Sequence, residues 1–245
     1  SSDLANFPIG VEGGKTSTCP TQNLMEAYDM KDGTPFVWNN QSNPYDNRDP
    51  RMKYTIVCNE MKWPVDPVEI WEGGTNGLPL QNATTTGYYL KKYVNNTISF
   101  EAGSTVTKKQ HNWVLFRYGE ILLNYAEAMI NAFHDPNYKD AVYNMSAREA
   151  VNQIRGRTNI SLPGFPSDIT EKDFVKRLKN ERRVELAFEG HRFWDVRRWK
   201  ELGQTVNIYG VKITKNNEVI SYEKFLLETR AVTDNMYFYP IPNTE

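Results

Sequence analysis

The sequence has few of the side chains that bind metals or build disulfide frameworks. Its 245 residues include two cysteines, Cys19 and Cys58, and three histidines. Two thiols cannot form a dense disulfide framework or a multi-thiolate metal site, and they leave the redox compartment open. His111, His134 and His191 show no paired-ligand spacing such as HExxH. We therefore expect no metal site.

The motifs of common catalytic and cofactor sites are missing as well. The glycine-rich stretch at residues 73–77 lacks the lysine and the strand-to-helix context of a phosphate-binding loop. No G-x-S-x-G nucleophile motif occurs. The sequence therefore predicts no cofactor and gives no motif-based reason to expect an enzyme.

Long apolar runs and an excess of one charge are also lacking. No apolar run reaches the roughly 18–20 residues that span a bilayer. The first ten residues lack the basic and apolar regions of a signal peptide, so we expect an intracellular protein or a mature or truncated form. The net charge is −1, and acidic residues are interspersed among the arginines of residues 182–198. Nucleic acid is therefore not an expected partner.

The chain is rich in aromatic residues, with 14 tyrosines and 6 tryptophans. Aromatic side chains beyond those a core needs often form contact surfaces, because they combine a large area with a polar group. Residues 1–110 combine them with turn-forming Gly, Pro, Asn and Thr, which predicts long ordered loops around a short helix at 21–30 and a strand at 88–94. Residues 111–245 predict a helical scaffold.

The helical part contains three periodic segments. Ile121, Leu122, Tyr125 and Met129 form an apolar stripe on a helix that begins after Trp113. A second helix carries the apolar residues of its buried face at helical spacing: Ala147, Ala150, Val151 and Ile154. Two such helices in succession are typical of tetratricopeptide-like repeats. The predicted fold is therefore mainly α, a tetratricopeptide-like superhelix with long loops and a few short β-hairpins.

The third helix is predicted to begin at Thr170 and to run to about Phe188, before a continuation through Trp199. Its predicted apolar stripe consists of Phe174, Val175, Leu178, Leu186 and Phe188. Three charged residues fall within the same stripe: Arg182, Glu185 and Glu189. Glu185 and Glu189 could be a catalytic acid–base pair. We favour a structural ion-pair network in which Arg182 pairs with Glu185 and Arg192 with Glu189, since paired acids have lowered pKa values. A hairpin over 208–222 is expected to follow.

Residues 180–203, NERRVELAFEGHRFWDVRRWKELG, resemble the signature helix of the RagB/SusD family. Residues 116–132, FRYGEILLNYAEAMINA, and 147–160, AREAVNQIRGRTNI, are similar to two further family segments. Shorter stretches match in family order: 23–30, 43–52, 84–93 and 238–242. The resemblance covers almost the whole chain, which is identified as the C-terminal domain of such a protein.

The resemblance implies a lipoprotein on the outer face of the outer membrane in Bacteroidota. Such proteins capture glycans, or in some members peptides, for a SusC-like, TonB-dependent transporter, and they are not enzymes. The N-terminal half of the family, with its signal peptide and lipid-attachment cysteine, is expected to be absent from this sequence. The charged helix would then belong to the scaffold. A protein-only helical-repeat scaffold and a glycosidase are the other functions left open.

The ligand-binding residues of the family vary between members, so none is transferred by name. A glycan needs aromatic faces for its rings and polar groups for its hydroxyls, and the loops of residues 1–110 contain both. The loop residues predicted to contact a ligand are Trp38, Asn40, Tyr45, Arg48, Trp63 and Trp71.

Overall fold

The protein is described by a computed structural model over residues 2–39, 43–98, 107, 109–112 and 114–239. Its first part contains three short helices: α1 (Ser2–Asn6), α2 (Gln22–Ala27) and α3 (Pro50–Thr55). Two short strands, β1 (Ile56–Val57) and β2 (Tyr89–Leu90), pair antiparallel. The connecting loops contain most of the residues in this part, as the sequence predicts.

Four longer helices follow: α4 (Tyr118–Phe133), α5 (Ala147–Arg155), α6 (Glu171–Glu185) and α7 (His191–Arg198). α4 begins after the extended residue Arg117 and ends where His134 adopts a left-handed conformation, with φ of 56°. α5 packs against α4, and α6 contacts both. The mainly α fold with a tetratricopeptide-like helix pair is therefore confirmed. Trp113, the predicted start of the first of these helices, lies outside the described residues.

The predicted stripe of α4 is partly wrong. Leu122 and Met129 are buried, but Ile121 is 50% exposed. The face that packs against α5 and α6 is instead formed by neighbouring positions of the same helix: Leu122, Leu123, Ala126, Met129 and Ile130. The buried face of α5 is the predicted one, and Ser146 and Glu149 cap its N-terminus with reciprocal hydrogen bonds.

α6 ends three residues earlier than predicted, at Glu185. Phe188 and Gly190 both have positive φ, 61° and 83°, so the chain turns here before α7 begins. Phe188 is consequently half-exposed and does not continue the apolar stripe as expected. At the other end the prediction holds: Thr170 caps the helix and accepts a hydrogen bond from the backbone N–H of Asp173.

A long hairpin completes the described chain. β3 (Asn207–Asn216) and β4 (Val219–Thr229) pair antiparallel, with Asn217 in the turn at a φ of 54°. The hairpin is longer than the predicted one at 208–222. It is fixed to α2 by Asn23, whose amide donates to the carbonyl of Asn207 at 2.9 Å and accepts from the N–H of Tyr209 at 2.8 Å. Short 3-10 helices precede and follow it, at Leu202–Thr205 and Asp234–Tyr237.

The apolar interior consists of two clusters. The loop core includes Met25, Tyr28, Met52, Ile56, Tyr88, Tyr89, Val184 and Val211. The helical core includes Leu123, Ala126, Ala150, Ile154, Phe165, Phe174, Leu178 and Leu186. α6 contributes to both, through Val184 on one side and Phe174 and Leu178 on the other. This helix is therefore the wall between the loop part and the helical part.

We expect Phe174→Ala to lower the free energy of unfolding by about 3–5 kcal/mol, the usual effect of removing a fully buried phenylalanine. Phe174 is 0% exposed, and its ring lies edge-on to Phe165 with centroids 5.9 Å apart. Phe238, 78% exposed, provides the matched control, and Phe238→Ala should change stability by no more than about 0.5 kcal/mol. Urea denaturation of both variants checks this; equal losses would contradict the assignment of the core.

Candidate functional site

The charges of α6 are neutralised by residues from distant segments. Arg51 of α3 donates to Glu185 at 2.9 Å, to Asp49 at 2.7 Å, and also to Glu181. The side chain of Arg51 is 7% exposed and those of the three acids are at most 3% exposed. Arg155 of α5, which is 1% exposed, donates to Glu181 at 2.7 Å. Buried charges are tolerated only when paired in this way.

Glu185 is the most highly connected acid of this ion-pair network. Besides Arg51, it accepts from Arg117 at 2.7 Å and from Arg157 at 2.8 Å. Burial alone raises the pKa of Glu185, but the charge of Arg51 and the hydrogen bonds of Arg157 and Arg117 outweigh it and lower the pKa to about 2. Glu185 is therefore held as a carboxylate.

Glu189 lies next to it and shares Arg117. The Nε of Arg117 is 2.6 Å from Glu189, and Lys92 is 2.6 Å from the same carboxylate. Burial raises the pKa of Glu189, but the hydrogen bonds from Arg117 and Lys92 lower it on balance. A general acid needs a raised pKa. The geometry of Glu185 and Glu189 therefore gives no support to the catalytic-pair hypothesis.

The pairings predicted from helical spacing are wrong. Arg182 donates to Asp195 of α7 at 2.8 Å and to Asn124 of α4 at 2.6 Å, and Glu185 pairs with the arginines above. Arg192 donates to Gln204 at 2.8 Å, and Glu189 pairs with Arg117 and Lys92. For Glu189 and Arg192 the reason is the turn between α6 and α7, because the two residues do not lie on one helix and have no i,i+3 geometry. Arg182 and Glu185 do lie on one helix, but each pairs with residues of other segments.

Three of the predicted ligand-contacting side chains are buried, and the expectation that they lie on an exposed loop surface is wrong. Tyr45 is 6% exposed, edge-on to two tyrosines of the loop core. Trp63 is also 6% exposed. Arg48 donates to the carbonyls of Pro44, Met25 and Tyr28 at 2.6–2.7 Å, which ties its loop to α2. Short-range sequence patterns could not distinguish these core aromatics from surface ones.

Trp38 and Trp71 are half-buried and keep part of their surface accessible. Both pack against the loop core. The ring of Trp38 lies edge-on to Phe36 with centroids 6.4 Å apart, and the ammonium of Lys215 lies 4.5 Å from the ring centroid of Trp71. These two rings are the candidate ligand contacts. Asn40, the polar candidate beside Trp38, lies outside the described residues.

A cavity of about 460 Å³ opens beside α6 and was not expected from the sequence. Its walls come from α2, the loop before Trp38, α6, α7 and the 3-10 helix Leu202–Thr205. Arg183 and Arg192 line it, together with Phe36. The only feature of the sequence that points to this cavity is the cluster of arginines at 182–198. Its arginines reach different sides of the structure because the chain turns at Gly190.

No cluster of three or more His, Cys, Asp or Glu side chains suited to a metal occurs among the described residues. Cys19 and Cys58 are both free thiols, and burial raises the pKa of Cys58 to about 12. Within the described ranges, no helix is both long enough and apolar enough to cross a membrane.

The model of the SusD family matches residues 6–245. A SusD-like protein of Formosa agariphila is 37% identical over 91 residues, which cover 35% of this chain and 16% of that protein. A crystal structure of a SusD-like protein from Bacteroides fragilis is 26% identical with a TM-score of 0.77, over 98% of this chain and 48% of that one. A SusD-like carbohydrate binding protein of the same species is 24% identical with a TM-score of 0.75, over 98% and 49%. The chain thus spans about half the length of these solved structures.

We expect Glu185→Gln to destabilise the protein at neutral pH by about 3–5 kcal/mol, because it removes the buried negative charge shared by Arg51, Arg117 and Arg157. The pKa of Glu185 falls from 4.5 to about 2 on folding. Its stabilising effect is therefore complete above pH 4.5 and is lost as the pH falls from 4.5 towards 2. Urea denaturation across this range should show a steeper loss in the wild-type protein than in the variant.

The matched control is Glu228→Gln. Glu228 pairs with Arg230 at 3.1 Å, but the two side chains are 51% and 52% exposed. Exposed pairs contribute little, so stability and its pH dependence should stay within about 0.5 kcal/mol of the wild type. A Glu185 variant as stable as this control would show that the buried network is not needed for folding.

Proposed function

The chain belongs to the SusD family, and from this premise we propose that it is the C-terminal half of a cell-surface glycan-binding protein. In this proposal the protein captures oligosaccharides or polysaccharides and delivers them to a SusC-like, TonB-dependent transporter of the outer membrane. A lipid attached to a part of the protein outside this chain would anchor it. Residues 1–110 would supply the ligand-facing loops, and residues 111–245 the scaffold.

The observation that carries this proposal is that the model of the SusD family matches residues 6–245. Two features of the loops support it. Trp38 and Trp71 present partly accessible rings on loops fixed against a buried core, and aromatic faces of this kind stack on the apolar side of sugar rings. The loops themselves are held by buried hydrogen bonds, so the rings need little ordering when a ligand binds.

A binding role without catalysis agrees with the state of the acids. Glu181, Glu185 and Glu189 each contact at least two cations and have lowered pKa values. They are permanently ionised at neutral pH, and arginines occupy the oxygens that a catalytic acid or nucleophile would turn towards a substrate. We therefore propose that these three acids are structural and that captured glycan is released intact.

We expect Trp38→Ala and Trp71→Ala each to weaken glycan binding by about tenfold or more, the usual effect of removing a tryptophan anchor. Because the chain spans about half the length of its solved relatives, the screen uses the full product of its gene. Affinity electrophoresis against soluble polysaccharides finds the ligand, and calorimetry then measures the affinity of each variant. Trp194, which is 55% exposed on α7, is the control, and Trp194→Ala should bind as the wild type does.

Binding without release of reducing sugar, lost in either tryptophan variant, would support glycan capture. Unchanged affinity in both variants would remove these rings from the site. Binding of peptides and of no polysaccharide would contradict the glycan assignment in favour of a peptide-capturing member. Co-purification of the protein with a TonB-dependent transporter from membranes tests delivery separately.

A further inference from the structure

The cavity beside α6 has a polar and an apolar wall. Phe36, Phe165 and Pro35 supply apolar surface, whereas Asn180, Gln204 and several charged side chains supply polar groups. Its volume of about 460 Å³ lies within the usual range of small-molecule sites. Phe36 connects the cavity to Trp38, one of the candidate ligand contacts, because the ring of Phe36 also lies edge-on to that of Trp38.

The acids that line the cavity are already neutralised. Glu26 pairs with Lys224 at 2.8 Å, Glu201 with Lys179 at 2.5 Å, and Asp29 with Arg155 at 3.3 Å. The fourth acid, Glu181, belongs to the ion-pair network. Each of these carboxylates thus has another cation as its ion-pair partner, and Glu26 and Glu201 act on Arg183 and Arg192 only through longer-range charge.

Two arginines that line the cavity have no acidic ion-pair partner in the described part of the chain. Among the residues that the structure describes, neither Arg183 nor Arg192 forms an ion pair, and Arg192 donates to the neutral amide of Gln204. The guanidinium of Arg183 makes no hydrogen bond within the same described residues, and its side chain is partly buried. Two like charges on the wall of one cavity repel each other unless an anion lies between them or near them.

The protonation of Arg183 reflects this arrangement. Burial, and secondly the charge of Arg192, lower the pKa of Arg183 to about 10. Arg183 therefore still carries its charge at neutral pH, in an environment that disfavours that charge. Lys172 and Lys176 lie on the same wall, and the structure gives neither a paired acid within its described part. The cavity is consequently a positively charged recess with unused hydrogen-bond donors.

We propose that this cavity binds a carboxylate group of an acidic oligosaccharide, with Arg183 and Arg192 as its direct contacts. The fork of donors on a guanidinium matches a carboxylate in geometry as well as in charge. The carbohydrate part rests on the proposed function, and it is supported by the position of Trp38 next to Phe36 at the cavity, where a neighbouring sugar ring can stack. The ligand class is thereby narrowed from glycans in general to glycans that contain uronic acids.

Calorimetry at low salt with trigalacturonic acid and its methyl ester tests this on the full product of the gene. The two probes have the same rings and differ in charge. We expect the acid to bind at least about tenfold more tightly than the ester, and Arg192→Gln to remove about tenfold of the affinity for the acid, since hydrogen bonds to charged groups are worth this much. A folded Arg183→Gln variant should lose about the same affinity for the acid.

Arg197→Gln is the matched control on the same helix. Arg197 stacks on Phe193, with its guanidinium carbon 3.5 Å from the ring centroid, and it does not line the cavity. The Arg197→Gln variant should bind the acid as tightly as the wild type does. Equal affinity for acid and ester, unchanged affinity in Arg192→Gln, or no binding of the acid would overturn the proposal.

A third probe separates this proposal from the glycan function. Triglutamate bound through Arg192, with no binding of trigalacturonic acid, would overturn the carbohydrate assignment of the cavity and count against glycan capture as well. Capture of an uncharged polysaccharide that depends on Trp71 but not on Arg192 would support the proposed function and overturn the acidic-ligand inference.

Discussion

The structure depends on the pairing of Arg51 with Glu181 and Glu185. These three side chains are buried, and an unpaired charge in that position would destabilise the fold by several kcal/mol. Arg51 reaches the acids only when α3 and the loop before it are in place, and Arg155 reaches Glu181 only when α5 is packed. The network therefore links the loop part, the helix pair and α6. Each of these segments supplies a charge that neutralises a buried charge on another.

This explains how so long a stretch of irregular chain can be ordered. Loops have few backbone hydrogen bonds of their own, and they need other partners for their polar groups. Arg48 satisfies three carbonyls at once, and Asp49 caps α3 while it also pairs with Arg51. The half-buried Trp38 and Trp71 are positioned by the same apolar core. The loops can thus present side chains to a ligand without first having to fold.

The sequence predicted what local patterns determine. The start of α6 at Thr170, the buried face of α5 and the presence of a hairpin after α7 all follow from residues within a few positions of each other. The ion-pair partners of the buried charges could not be predicted in this way. Arg51 and Glu181 are 130 residues apart, and nothing in the sequence near either one indicates the other. Helical spacing suggested nearer partners for Arg182 and Arg192. The turn at Gly190 removes that geometry for Arg192, and Arg182 pairs with Asp195 of α7 instead.

The same reasoning separates the arginines that pair with acids from two that line the cavity. Those that meet an acid inside the protein, such as Arg51 and Arg155, have their charge accounted for by the fold. Arg183 and Arg192 line a cavity whose acids have other ion-pair partners, and neither arginine forms an ion pair within the described part of the chain. In the proposed site an anion would balance these charges, and a ligand that binds only the folded state would also stabilise it. The cavity is therefore where charge, shape and an adjacent aromatic ring are all available to a ligand.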